Sequence, residues 1–137
     1  MKLLDTNILL RLLLDDDPAQ VRAVEKFIRS SLRIKDELYV SDLSVAEMIW
    51  VLEGQDIPPT SIAQAIREIL QKEGIHFEHR QRLMTALSLY ETYRVDFIDA
   101  YQAALVQEKH FQAIVSFDRD YARLPVTHID PSNPIKS

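Results

Sequence analysis

Residues 1–14 read MKLLDTNILLRLLL. Lys2 to Asp5 is predicted to be a short buried strand. From Thr6 to Leu14 the apolar Ile8, Leu9, Leu12 and Leu13 then fall at helical spacing. A strand that hands directly to a helix is the unit from which parallel α/β sheets are built. The same succession recurs down the chain. Leu38 to Ser41 (LYVS) is a predicted strand, followed by a helix that Asp42 or Ser44 caps. Val45, Met48, Ile49 and Leu52 form that helix's inner face, and Gly54 stops it. Further strands are predicted at Ile75–Glu78, Ala113–Phe117 and Val126–Ile129. The helices between them are marked by Val21, Val24, Phe27 and Ile28 after Pro18, and by Ile62, Ala65, Ile66, Ile69 and Leu70 between Pro59 and Gly74. Leu83, Leu87 and Tyr90 mark the next, and Ile98, Tyr101, Ala104 and Leu105 one capped by Asp96. The alternation predicts an α/β fold, a three-layer α/β/α sandwich with parallel strands. It forms one domain over 1–130, with a loose tail from Pro131 to Ser137.

The chain of 137 residues is long enough to bury a substantial core, and it has no cysteine, so disulfide and thiolate chemistry are excluded. Its apolar N-terminal stretch is interrupted by Asp5 and Arg11. It makes a poor signal peptide and a worse membrane span, and a cytoplasmic protein is expected. A formal net charge of −5 speaks against a nucleic-acid partner unless the acids are clustered. With five candidate site carboxylates set aside the remaining charge balances, and the basic residues decide the field elsewhere.

Four acids occupy comparable places in this map. Asp5 ends the first strand and Glu47 lies in the helix after the second. Asp99 lies one turn into the helix before the fourth strand. Asp118 follows that strand, and Asp120 stands two residues on. Open α/β sheets gather ligands beyond the carboxyl ends of their strands. Each acid also has a plain reading. Asp5 can cap the helix at Thr6, Asp99 can serve a capping arrangement with Asp96, and Asp118 can hold a turn. Glu47 is harder to set aside, because its neighbours Val45, Ala46, Met48 and Ile49 predict a largely buried helix where a lone carboxylate is costly. Several carboxylates at one edge repel one another, and a hard divalent cation relieves that cost. Carboxylate sites of this kind suit Mg²⁺ or Mn²⁺ better than Zn²⁺, and such ions support phosphodiester hydrolysis.

Four segments carry a family resemblance: Asp5-Thr6-Asn7, Ser44-Val45-Ala46-Glu47, Asp96-Phe97-Ile98-Asp99-Ala100 and Ser116-Phe117-Asp118-Arg119-Asp120. In this order, at these junctions, they resemble a PIN domain, and more narrowly the VapC toxin ribonucleases of bacterial toxin–antitoxin pairs. The resemblance runs from Met1 to about Ile129 and implies a five-stranded parallel sheet between helices. It implies that Asp5, Glu47, Asp99 and Asp118 form a catalytic, metal-binding quartet for Mg²⁺ or Mn²⁺, with Asp5 and Asp99 as direct ligands. Thr6 and Asn7 resemble residues that orient Asp5. Ser116 stands where the family often has threonine and keeps the hydroxyl. Asp120 is an extra ligand or a turn residue, and Asp96 a cap. The partners so implied are an RNA substrate, a cognate antitoxin and a second copy in a homodimer, with no membrane.

Arg11 is placed either to reach an RNA phosphate or to sit on a surface. Arg22, Lys26, Arg29, Arg33 and Lys35 read as a solvated face or an electrostatic track for RNA. His76 and His79 read as surface or packed residues, and Asp15-Asp16-Asp17 as a loop and cap. The apolar run Ile49-Trp50-Val51-Leu52 suits a dimer or antitoxin contact. Other carboxylate phosphotransfer folds fit less well. A haloacid-dehalogenase phosphatase needs an acid where Asn7 stands, and a response-regulator receiver needs an acid after strand three and a lysine after strand five. A PIN-like module that binds without cutting, or a housekeeping RNA-processing nuclease, remains as the alternative.

Overall fold

The computed structural model describes residues 1–14 and 16–133 and divides into two compact units, Met1–Arg80 and a second from Gln81 onward. In the first unit, strand β1 (Lys2–Leu3) passes through α1 (Thr6–Leu13) and α2 (Pro18–Arg33) to β2 (Leu38–Val40). From there α3 (Asp42–Gly54) and α4 (Pro59–Leu70) lead to β3 (Ile75–Phe77). The three strands pair in parallel in the order β1-β2-β3, with Lys2 opposite Leu38 and Leu38 opposite Ile75. Parallel neighbours need long crossovers, which the helix pairs supply. α1 packs on α2 and α3, and α3 on α4. Leu9, Leu38, Val40, Val45, Met48, Ile49, Ile62, Ile66 and Leu70 are fully enclosed. Burying each such side chain is worth roughly 1.5–3 kcal/mol, so these positions hold the helices on the strands.

Local chemistry sets the ends of these elements. Asp5 caps α1 by accepting from the Asn7 backbone N–H at 3.2 Å, and Asp17 caps α2 by accepting from that of Gln20 at 3.2 Å. Ser41, rather than Asp42 or Ser44, caps α3. Gly54 is the last residue of α3, but the left-handed turn after it falls on Asp56, φ 58°. Gly74 does take that conformation, φ 86°, four residues beyond the end of α4, and leads into β3. Asp15 lies outside the described residues.

The second unit comprises α5 (Arg80–Tyr93, counted from Gln81), α6 (Phe97–Lys109), β4 (Ile114–Val115), the 3-10 helix Arg119–Arg123 and β5 (His128–Ile129). β4 and β5 pair in parallel, Ile114 opposite His128. The buried Arg82 ties α5 to α6, donating to Glu108 at 2.6 Å and to the Tyr101 hydroxyl at 2.9 Å. Tyr90 meets Phe97 edge-on at 6.0 Å. Leu83, Ala86, Leu87, Ala100 and Ala103 fill the interior.

The α/β class and the order of elements follow the sequence reading, but the single five-stranded sheet does not. The described strands pair as a three-stranded and a two-stranded parallel sheet. The reason lies in their length. Ala113–Phe117 contributes only Ile114–Val115, and Val126–Ile129 only His128–Ile129, so each ladder rests on few hydrogen bonds. Among the described residues no helix is long and apolar enough to cross a membrane. The tail from Pro134 lies outside the described residues.

Candidate metal centre

The second unit gathers three of the predicted acids. Asp99, Asp118 and Asp120 each offer a carboxylate oxygen, and these oxygens lie within 4.8 Å of one another. Asp99 arrives from the first turn of α6, where Asp96 occupies the cap position without a side-chain cap bond, and it is buried, 8% exposed. Asp118 caps the 3-10 helix, accepting from the Asp120 N–H at 2.9 Å. Its own N–H donates to the Ser116 hydroxyl at 3.0 Å, so Ser116 fixes the turn that presents it. Asp120 also accepts from Arg123 at 3.0 Å.

One oxygen of the cluster stands out. Asp99 Oδ2 is buried with no hydrogen-bond partner. Burial pushes the Asp99 pKa up, a hydrogen bond from Tyr121 opposes that, and the charges of Asp118, Asp96 and Asp120 add to the rise. The buried Tyr121 phenol is pushed up to about 12 by burial and by its bond to Asp99, so it holds its proton and acts as donor. An unpartnered carboxylate oxygen beside two further carboxylates suits a hard cation with oxygen ligands. The donor set therefore fits Mg²⁺ or Mn²⁺.

The other predicted residues belong to the first unit. Asp5 is exposed and serves as the cap of α1. Thr6 is buried, and Asn7 supports Asp5 through its backbone N–H. Glu47 corrects the sequence reading: it is exposed, because it projects from the outer side of α3 while Val45, Met48 and Ile49 turn inward. Leu43 and Trp50, four residues before and three after it, are 81% and 73% exposed. That places all three on one outer face. Arg11 donates to Asp16 at 2.8 Å and borders a groove of about 460 Å³ with Asn7, Gln20 and Ala23. Arg22, Lys26, Arg29, Arg33 and Lys35 are all exposed.

A second grouping was missed from the sequence. Asp42, Glu78 and His79 also bring ligand atoms within 4.8 Å of one another. The Asp42 N–H donates to Glu78 at 2.9 Å, and His79 Nδ1 lies 2.8 Å from the Asp42 carboxylate. The signal was available: β2 and β3 pair with Val40 opposite Phe77, so the residues that follow those two are neighbours. Its internal bonds account for it as a lock between the ends of two strands.

The family profile of the PIN domain matches residues 2–126. No curated protein sequence matches the chain.

Proposed function

The chain belongs to the PIN domain family, and from that premise we propose that it is a Mg²⁺- or Mn²⁺-dependent endoribonuclease, the VapC-like toxin of a toxin–antitoxin pair. The observation that carries this reading is the buried, unpartnered Asp99 Oδ2 in a cluster with Asp118 and Asp120. Asp99, Asp118 and Asp120 hold the cation, and the family resemblance adds Asp5 and Glu47 to the acidic set. A bound divalent cation supplies charge stabilisation to the phosphate and acidifies water.

The chain's own residues do the rest. Ser116 holds the turn that fixes Asp118, and Tyr121 holds a proton against Asp99. An acid of the set accepts the proton of the attacking water. Hydrolysis leaves a 5′-phosphate and a 3′-hydroxyl. The reading places the protein in the cytoplasm as a homodimer. An antitoxin segment covers the acidic cluster and offers an arginine in place of the cation. Leu43 and Trp50 support the contact face.

The test uses purified protein, a mixed-sequence RNA and Mn²⁺, with and without EDTA. Asp5→Asn is expected to cut at least ~100-fold more slowly than wild type, the scale of a lost metal or electrostatic contribution. Equal cutting by both, or indifference to EDTA, removes the proposal. Binding of RNA, structured tRNA and ribosomal RNA included, with no cutting by wild type supports the non-cleaving module instead.

A further inference from the structure

Phe117 separates Ser116 from Asp118 at a bend after β4, and its side chain is 72% exposed. A single exposed apolar residue is ordinary on a protein surface. This one differs in how its backbone is held. The Asp118 N–H reaches across it to the Ser116 hydroxyl at 3.0 Å, and the Ser116 carbonyl lies 2.7 Å from His128 Nε2 on the paired strand. Both flanks of Phe117 are thus tied by hydrogen bonds, and the ring is carried into solvent by a fixed turn. The residue beside it contributes a carboxylate to the acidic cluster.

We propose that Phe117 is a substrate-positioning residue on which an unstacked RNA base rests, placing the adjoining phosphate at the Asp99–Asp118–Asp120 cluster. The proposal rests on the nuclease reading above and goes beyond it by naming the residue that seats the nucleotide. Neighbouring Cα atoms are ~3.8 Å apart, so the ring is carried by the residue next to one that brings a carboxylate to the cluster. The chemistry suits this occupant. The protein carries a net charge of −5, so attraction from overall charge does not hold RNA at an acidic cluster. A π-face supplies affinity that is indifferent to phosphate charge, and every base offers one in return. Ile98, exposed and next to Asp99, adds apolar surface on the cluster's other chain segment.

The experiment measures binding of a fluorescent single-stranded RNA dodecamer, with Ca²⁺ replacing Mn²⁺ to suppress cutting, alongside cleavage in Mn²⁺. Stacking is worth ~1–3 kcal/mol per base, so Phe117→Ala is expected to weaken binding by roughly 10-fold or more. Phe117→Leu, which keeps apolar area but no π-face, is expected to weaken it nearly as much, while Phe117→Trp binds at least as well as wild type. A 2-aminopurine in the RNA is quenched by wild type and Phe117→Trp but not by the other two. Melting temperatures of all variants in EDTA should agree, since the side chain is exposed. If wild type cuts and binds RNA but Phe117→Ala or Phe117→Leu matches it, the positioning role is overturned and the nuclease reading stands. If wild type neither cuts nor binds, both fall.

Discussion

Replacing Asp99 by asparagine should stabilise the metal-free protein and abolish its response to metal. The carboxylate oxygens of Asp99, Asp118 and Asp120 lie within 4.8 Å of one another. Asp118 is exposed, so the dielectric of water is the right limit, and each charge pair then repels by about 1 kcal/mol. Asp99→Asn removes two such repulsions and a buried charge, while its amide can donate to the neighbouring carboxylates. The gain is about 2 kcal/mol, or on the order of 5 °C in melting temperature. The sign with pH follows from the raised Asp99 pKa, whose first cause is burial. A native state that holds the proton more tightly draws stability from it below the ordinary value of 3.8, and loses that stability as pH rises through the raised value. In EDTA the variant's advantage is therefore full at neutral pH and vanishes in acid. Saturating Mn²⁺ reverses the order, because ligand at ~100 times its Kd stabilises wild type by about 2.7 kcal/mol. Calorimetry from pH 3 to 8, with EDTA or Mn²⁺, checks both arms. A variant no more stable than wild type in EDTA at pH 7, or stabilised equally by Mn²⁺, would refute the reasoning.

Gly74→Ala should cost about 1–2 kcal/mol, because φ is 86° and the new Cβ would sit 3.2 Å from Leu32 Cδ1; a lowered urea midpoint measures it. Glu108→Gln removes the charge opposite buried Arg82, which keeps its bond to Tyr101. Since Glu108 is 41% exposed, the loss is about 1 kcal/mol, read by the same titration, and a loss several times larger would mean the pair is far better shielded. If the outer face of α3 joins two copies, Trp50→Glu should weaken dimerisation by roughly 30-fold or more without lowering the melting temperature. Light scattering that finds wild type monomeric at high concentration removes that contact.

The helices were legible because their apolar positions repeat at 3–4 residues and ends such as those at Asp5 and Asp17 carry ordinary caps, though the cap of α3 is Ser41, which read as the end of a strand. The strands were legible as places but not as lengths. Ala113 and Phe117 read as strand by apolarity, yet neither lies in β4, and Phe117 faces water at a bend. The junction rule put Asp5, Glu47, Asp99 and Asp118 at one edge and left Asp120 as an extra ligand or a turn residue; the structure gathers Asp99 and Asp118 with Asp120. Glu47 misled because an apolar run on a short helix does not say which side is turned in; Trp50, in the same run, is outside as well. Tyr121 went unread because the short segment Arg119–Arg123 shows no periodicity, and only the 3-10 turn brings its hydroxyl to Asp99.

Trp50 is the chain's single tryptophan, and in the folded protein it already stands in water. Its emission therefore has little room to shift when the chain unfolds, so intrinsic fluorescence makes a poor denaturation signal for this protein. The same position makes it a selective optical reporter. A blue shift without a change in helicity marks something settling on the outside of α3, and a quencher such as iodide loses access at the same moment. Each can be followed in real time without a label.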